Sequence, residues 1–180
     1  ISLGDIREGE KVLDAMAGNG AIAKELSKIQ GIQLFVLDNA ELQIEEAKKN
    51  IKNAKFYVSS ALKMPFSDNM FDKVFIRNAV YEVPKKDQVK LYKEILRVLK
   101  KEGSFINWTV KLDKKNCGAF QKLANKKDEI AEFDELVNNR YFMTEIELKG
   151  FLKKAGFSSV DCFDLGINYI LQTKKWFEVD

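Results

Sequence analysis

The residues best suited to chemistry in this chain are an aspartate and the turn that follows it. Asp14 closes the apolar pair Val12-Leu13, and residues 16–20, MAGNG, make a glycine-containing turn before a helix that begins at Ala21. Glycine lets the backbone approach a ligand closely, and the start of a helix offers unpaired N–H groups to a negative charge. The pattern predicts a cradle for a cofactor.

A second aspartate follows at the distance that a nucleoside requires. Gln33–Leu37 predicts a second strand, and Asp38 directly after it stands twenty residues beyond Gly18. An acidic residue at this spacing can accept hydrogen bonds from both hydroxyls of a ribose. The two aspartates and the turn fit a dinucleotide or another adenosine cofactor, and these residues alone do not choose between them. Asp14 as a turn residue and Asp38 as a helix cap are the structural alternatives.

The surrounding pattern alternates strands and helices, which predicts how these residues are positioned. The predicted elements cover residues 12–14, 21–29, 33–37, 41–52, 55–58, 71–77, 84–103 and 104–110. In the helix predicted within residues 84–103, Val89, Tyr92, Leu96 and Leu99 share a face, and Gly103 suits the carboxyl end of this helix. Short crossovers of this kind imply a largely parallel sheet with helices on both faces, and a ligand site where the strand order reverses.

The last third of the chain predicts a cover and a closing hairpin. Residues 116–138 carry spaced apolar side chains and predict one or two helices over the carboxyl edge of the sheet: Phe120, Leu123, Ile130, Phe133 and Val137. Thr144–Glu147 is a capping box that opens a further helix, which ends at Gly156. Strands at 159–163 and 167–173 are predicted to form an antiparallel hairpin.

Composition restricts the classes of function. The 180 residues carry a net charge of +3 and no histidine. The missing histidine excludes the usual catalytic triads and imidazole metal sites, and no metal is predicted. The lysines are spread along helices, which favours solvated faces over a nucleic-acid patch. We expect no membrane span, and the two cysteines favour a reducing, cytoplasmic location.

Four ordered blocks of sequence resemble a known family. They are EKVLDAMAGNG (Glu10–Gly20), FVLDNA (Phe35–Ala40), LKMPFSDNMFDKVF (Leu62–Phe75) and EILRVLKKEGSF (Glu94–Phe105). The order and spacing resemble the class I S-adenosylmethionine-dependent methyltransferases, and within them the small-molecule branch that includes quinone-biosynthesis enzymes. A fifth block, FLKKAGFSSV (Phe151–Val160), is similar to the family's last helix and sixth strand. The Leu62–Phe75 block separates this branch from nicotinamide-binding Rossmann proteins.

The resemblance implies one methyltransferase domain over residues 1–180, with covering helices at 112–141 and a leading segment expected to precede the chain. The implied fold is α/β and Rossmann-like: a seven-stranded, mostly parallel sheet with helices on both faces and a C-terminal antiparallel hairpin. The implied cofactor is S-adenosyl-L-methionine and the implied partner is a small-molecule methyl acceptor. The sequence fixes no oligomeric state.

The resemblance also implies where the cofactor and acceptor lie. The matching cofactor residues stand at the ends of the predicted strands: Asp14, Met16, Ala17, Gly18, Gly20, Asp38, Asn39, Ser60, Ala61, Leu62, Arg77 and Asn78. By the resemblance, the turn holds the methionine end, Asp38 the ribose and residues 60–62 the adenine edge. Residues 77–78 lie beside the sulfonium. Tyr81 and Glu82 follow on the acceptor side as catalytic candidates, with ordinary loop residues as the alternative.

This chain departs from the family pattern at three places. Met16 stands where the family usually has glycine, Ser60 where it usually has aspartate, and no histidine lies near Tyr81 and Glu82. Methyl transfer from a sulfonium needs positioning above all, because the leaving group is already activated. A chain without histidine is therefore compatible with this reaction. A catalytically silent binding protein of the same fold and an RNA methyltransferase remain the alternatives.

Overall fold

A parallel five-stranded sheet is the frame of the part of the chain that the structure describes. The structure is a computed structural model, and it describes residues 5–110 and 112–163. The strands are β1 (Lys11–Ala15), β2 (Gln33–Asp38), β3 (Ala54–Val58), β4 (Phe71–Arg77) and β5 (Leu99–Trp108). All four pairings are parallel, in the order β3-β2-β1-β4-β5. The order reverses between β1 and β4, as the alternating pattern predicts.

Six helices connect or cover these strands within the described residues. They are α1 (Ala21–Leu26), α2 (Glu41–Asn50), α3 (Gln88–Val98), α4 (Lys114–Ile130), α5 (Asp134–Asn139) and α6 (Glu145–Ala155). Two short 3-10 turns, Val80–Glu82 and Lys85–Asp87, lead from β4 into α3. Two of these helices, α4 and α5, lie within residues 112–141, the segment for which covering helices are predicted.

Each face of the sheet has its own apolar core, because both faces of the parallel strands are covered by helices. Val12 packs with α1 and α2, whereas its neighbour Leu13 packs with α3 and α6 on the opposite face. The alternation follows from the two-residue period of a strand. Helices on both faces of a mostly parallel sheet are therefore confirmed.

The junction between α3 and β5 differs from the prediction. The helix ends at Val98, β5 begins at Leu99, and Gly103 lies inside the strand. A Cβ at Gly103 would stand 3.0 Å from the carbonyl oxygen of Phe71, where the β4–β5 register shifts. Glycine is needed here for close approach of two strands and not as a helix cap.

Two further predictions need correction. Residues 159–163 form no strand, and the second predicted strand, 167–173, lies outside the described residues. The hairpin and the seven-strand count are thus not found in the described part, which has five strands. In the cover, Leu123, Ile130 and Phe133 are exposed, because the helix buries a different face, around Ala124 and Asp128.

Candidate active site

The turn between β1 and α1 has a backbone that glycine makes accessible. Met16, Gly18 and Gly20 all have positive φ, at 52°, 54° and 79°. A Cβ at Gly20 would stand 2.7 Å from the Ile51 side chain, so this glycine lets α2 pack against the turn. A Cβ at Gly18 would meet only Gln43, at 3.8 Å, so the turn is open at Gly18. The Met16 side chain packs with the core on the α3 face and leaves this opening clear.

Asp38 fixes this turn from the neighbouring strand. Its Oδ2 accepts from the backbone N–H of Gly18 at 2.7 Å, and its Oδ1 accepts from Ala40 at 2.9 Å. The residue is 8% exposed, at the carboxyl end of β2. A carboxylate has about four acceptor positions, so two remain after these bonds. The N-cap residue of α2 is Ala40 and no side chain caps the helix, so the Asp38 bond to Ala40 braces the entry to α2 without being a helix cap.

Asp14 is a buried carboxyl that forms no salt bridge with any residue that the structure describes. It is 1% exposed, and its Oδ2 accepts from the backbone N–H of Ala23 at 2.9 Å. Burial raises the pKa of Asp14 to about 7, which the Ala23 bond and the charge of Arg77 only partly oppose. The nearby carboxylate of Asp38 raises it further. A cation bound beside Asp14 would therefore be stabilised.

Strand register brings the predicted residues to one edge. Asp14 pairs with Val36 of β2 and Phe75 of β4, so Asp38 and Arg77 each stand two residues further toward the carboxyl edge. Asn78 turns the chain there with φ 51°, and its N–H donates to Trp108 at 2.7 Å. Arg77 is exposed and Asn78 is half-buried. These residues line the point where the strand order reverses.

The loop after β3 joins the same edge. The N–H of Ser59 donates to the carbonyl of Asp38 at 2.9 Å, and Ser60 Oγ accepts from Leu62 at 3.2 Å. Ala61 is buried in the core, whereas the Ser60 and Asn39 side chains are exposed. The structure thus brings together residues 38–39 and 60–62, with Ala61 contributing mainly to packing.

A clamp from α3 holds the end of this loop. Glu94 accepts from the N–H of Met64 at 2.6 Å, and Arg97 donates to the carbonyl of Phe66 at 2.8 Å. Arg97 also pairs with Glu94 and Asp68, at 2.7 Å each. The guanidinium keeps the pKa of Glu94 below its ordinary value through this hydrogen bond. The charged side chains of Glu94 and Arg97 therefore hold the loop to α3 through hydrogen bonds to the loop backbone.

Tyr81 and Glu82 lie in the 3-10 turn after β4. The buried carboxamide of Gln88 donates to the carbonyls of Val80 and Val83, each at 2.7 Å, and so braces this turn. Although the Glu82 side chain reaches solvent, partial burial raises the pKa of Glu82 above its ordinary value, and the charge of Arg140 opposes this. The negative charges of Asp38 and Asp128 raise it further.

Three polar residues that lie near this turn are not identified by the sequence analysis. Gln88, Asp128 and Arg140 are polar residues in stretches that predict solvated helix faces, yet Gln88 and Asp128 are buried. No local spacing identifies them. The one available signal for Gln88 is its place at the start of a helix directly after the turn that it braces.

The described residues hold neither a membrane-spanning helix nor a metal-ligand cluster. None of the helices in residues 5–110 and 112–163 is long and apolar enough to cross a membrane. The same residues contain no group of three or more acidic or cysteine side chains arranged to hold a metal ion.

Known proteins with similar sequences are methyltransferases. A family model described as a methyltransferase domain matches residues 12–103, just over half of the chain. Sterol 24-C-methyltransferase of Pneumocystis carinii is 37% identical over 109 residues, 57% of this chain and 28% of that enzyme. The ubiquinone/menaquinone biosynthesis C-methyltransferase of Rickettsia felis is 40% identical over 106 residues, 53% of this chain and 42% of that enzyme. The chain spans less than half the length of these relatives.

A solved structure supports the fold. The YcgJ protein of Bacillus subtilis superposes with a TM-score of 0.70 at 23% identity, covering 84% of this chain and 63% of that chain. This likeness concerns the α/β architecture. The motif order, the parallel sheet and the family match agree, and the chain belongs to the methyltransferase domain family, the class I S-adenosylmethionine-dependent methyltransferases.

Proposed function

We propose that this chain binds S-adenosyl-L-methionine at the carboxyl edge of its sheet and transfers the methyl group to a small-molecule acceptor. The observation that carries the proposal is the arrangement of Asp38 and Asp14 around the open turn at Gly18. Asp38 has acceptor positions left for ribose hydroxyls, and Asp14 is a buried carboxyl suited to a cation. A nucleoside that also carries an amino acid ammonium matches both.

The side chains present fit this cofactor. Asp38 would accept from the ribose, the N–H groups of the turn at 16–20 would meet the methionine carboxylate, and Asp14 would face its ammonium. Ser60 and Leu62 would border the adenine, with Asn39 beneath it. Ser60 supplies a neutral hydroxyl, and because its Oγ already accepts from Leu62, we expect it to contribute little affinity.

The protein's own contribution to the reaction is positioning. When bound, the cofactor supplies an activated methyl group on a positively charged sulfur. Arg77 and Asn78 end β4 beside this position, and the turn carrying Tyr81 and Glu82 borders the acceptor side. The raised pKa makes the Glu82 carboxylate a stronger base than an ordinary glutamate, which suits a group that takes a proton from the acceptor. Helices α4 and α5 would exclude water.

A small-molecule acceptor is supported by the relatives. The names of the sterol and quinone enzymes describe C-methyltransferases of small molecules, and each enzyme is similar to just over half of this chain. We further propose a cytoplasmic location, on the low cysteine content alone.

Calorimetry with S-adenosylhomocysteine tests the cofactor proposal. We expect binding by the wild type and at least about tenfold weaker binding by Asp38→Ala, since a charge-assisted bond pair is lost. Asp161→Ala, which removes an exposed aspartate beyond α6, is the matched control and should bind like the wild type. Equal affinity in all three proteins, or no binding at all, would contradict the proposal.

Transfer of a radiolabelled methyl group to fractionated cell extract tests the acceptor class. We expect label in the small-molecule fraction. Label in the RNA fraction would instead favour the RNA methyltransferase alternative. Cofactor binding without transfer to any fraction would favour a catalytically silent protein of this fold.

A further inference from the structure

The cover is fastened to the acceptor-side turn by aromatic contacts. The ring of Tyr81 stacks on Phe142 with centroids 4.5 Å apart, and Phe120 of α4 meets Phe142 edge-on at 4.8 Å. The N–H of Tyr141 donates to the carbonyl of Tyr81 at 2.6 Å. Residues 140–142 therefore link α4 directly to the turn that carries Tyr81 and Glu82.

A buried ion pair lies at the same junction. Arg140 and Asp128 of α4 approach to 2.7 Å, and their side chains are 13% and 2% exposed. The guanidinium carbon of Arg140 lies 5.6 Å from the centre of the Tyr81 ring, which is cation–π distance. The buried Nε of Arg140 has no hydrogen-bond partner among the described residues.

Stability alone does not explain why an ion pair of Arg140 and Asp128 lies at this buried junction. Removing two charges from water has a large cost, and apolar residues of similar size often stabilise a buried site equally well. The aromatic cluster already joins α4 to the turn. A charged pair at this junction therefore indicates a role that depends on the charge of the two side chains and on the direction of their contacts.

We propose that Arg140, held by Asp128, is a positioning residue for the acceptor side of the site: it fixes the ring of Tyr81 and sets the electrostatic environment of Glu82. This inference rests on the proposed function for its catalytic meaning, since Glu82 is the acceptor-side carboxylate. It links the covering helix α4 to the protonation state of that carboxylate. A displacement of α4 would then change both the ring position and the charge of Glu82.

Three charged side chains act on Glu82 from different elements. Arg140, after α5, favours the ionised form, whereas Asp38 at the end of β2 and Asp128 of α4 favour the protonated form. Of these charges, Arg140 has the largest influence. Loss of Arg140 should therefore leave Glu82 facing two negative charges with no compensating cation from this set.

Carboxyl-carbon NMR titration of the free protein tests the inference without an acceptor. With the Glu82 signal assigned by its absence in Glu82→Gln, Arg140→Gln should raise the titration midpoint of Glu82, because the cation that favours its ionised form is lost. Arg140→Lys should keep the midpoint near the wild-type value but shift the ring resonances of Tyr81, because the planar stack is lost. Lys126→Gln is the matched control, since it breaks the exposed Lys126–Glu129 pair of α4, the helix that carries Asp128.

A second variant covers the case in which Arg140→Gln does not fold. Asp128→Asn/Arg140→Gln replaces the charged pair with two amides and leaves no unpaired buried charge. We expect a smaller upward shift of the Glu82 midpoint, because Arg140 outweighs Asp128. An unchanged or lowered midpoint in the folded variants would overturn the inference.

Cofactor binding separates this inference from the proposed function. Arg140→Gln should bind S-adenosylhomocysteine within about twofold of the wild type, because Arg140 lies on the acceptor side. If the wild type itself fails to bind, the proposed function fails while the Glu82 titration is still measurable. If binding falls as in Asp38→Ala, Arg140 belongs to the cofactor site and the positioning role is wrong.

Discussion

The backbone N–H of Gly18 donates to Oδ2 of Asp38 at 2.7 Å, across the carboxyl ends of two adjacent strands. One carboxylate thus shapes the turn before α1 and, through its second bond to Ala40, the entry to α2. In the proposed site it also accepts from ribose. The shape of the cradle and its chemistry therefore depend on the same side chain.

Replacing Asp38 should separate these two roles. Asp38→Asn keeps one carbonyl acceptor for the backbone, so we expect a loss of about 1 kcal/mol in the free energy of unfolding. Asp38→Ala leaves two N–H groups without their acceptor, and a loss of about 2–3 kcal/mol is expected. Urea unfolding measures both. Equal stability of the two variants would show that the carboxylate does not brace the turn.

Asp14 should make stability depend on pH. Its folded pKa of about 7 exceeds the ordinary value of 3.8, so the folded state binds more protons between these limits. Stability from this group is full below about pH 4 and is lost as pH rises through about 7, with a maximum effect of about 4 kcal/mol. Asp14→Asn should therefore be more stable than the wild type at pH 8, with a much smaller difference at pH 4.5.

Urea unfolding at the two pH values checks this prediction, and Asp161→Asn is the exposed control. Parallel pH profiles for the wild type and Asp14→Asn would contradict it. The same variant should bind S-adenosylhomocysteine more weakly, because a neutral amide attracts an ammonium less than a carboxylate does. Stability gained together with affinity lost is the expected signature of a functional buried charge.

The two glycines of the turn should respond differently to alanine. Gly20→Ala places a Cβ 2.7 Å from Ile51 at a positive φ, so we expect a loss of about 2–4 kcal/mol in unfolding free energy. Gly18→Ala meets no crowding and should lose only about 1 kcal/mol from backbone strain. Thermal unfolding ranks the variants. A larger loss at Gly18 would mean that the turn is packed differently.

The α3 clamp should control the loop after β3. Arg97→Met removes the donors to the carbonyls of Met64 and Phe66, so amide hydrogen exchange over residues 60–68 should accelerate by about tenfold or more. Lys100→Met breaks the separate Lys100–Asp72 pair and serves as the control. Faster amide exchange over residues 60–68 in Lys100→Met but not in Arg97→Met would contradict the proposed clamp.

Local sequence was sufficient for the elements whose residues interact mainly with near neighbours. Strand β4 matches its predicted bounds at Phe71–Arg77. The capping box at Thr144 and Glu147 forms as predicted, and Gly156, with φ 111°, caps the carboxyl end of α6 directly after Ala155. The turn at 16–20 and the aspartates at the ends of β1 and β2 were equally predictable, because glycines and strand ends are encoded within a few residues.

Tertiary structure decided the features that depend on contacts between residues far apart in the sequence. The helical pattern running to Gly103 ends at Val98, because the chain there pairs with β4, with Leu99 opposite Phe71, and Leu99 is buried in the core. Local spacing does not encode this long-range pairing. The pairing of Asp128 with Arg140 and its contact with Tyr81 have no local signature, since they join three separate segments. The sequence by itself thus determined the alternating α/β pattern and the two aspartates at the ends of β1 and β2. Only the packing of α4 against the turn after β4 decided the electrostatics around Glu82, because burial and charge proximity arise from the fold.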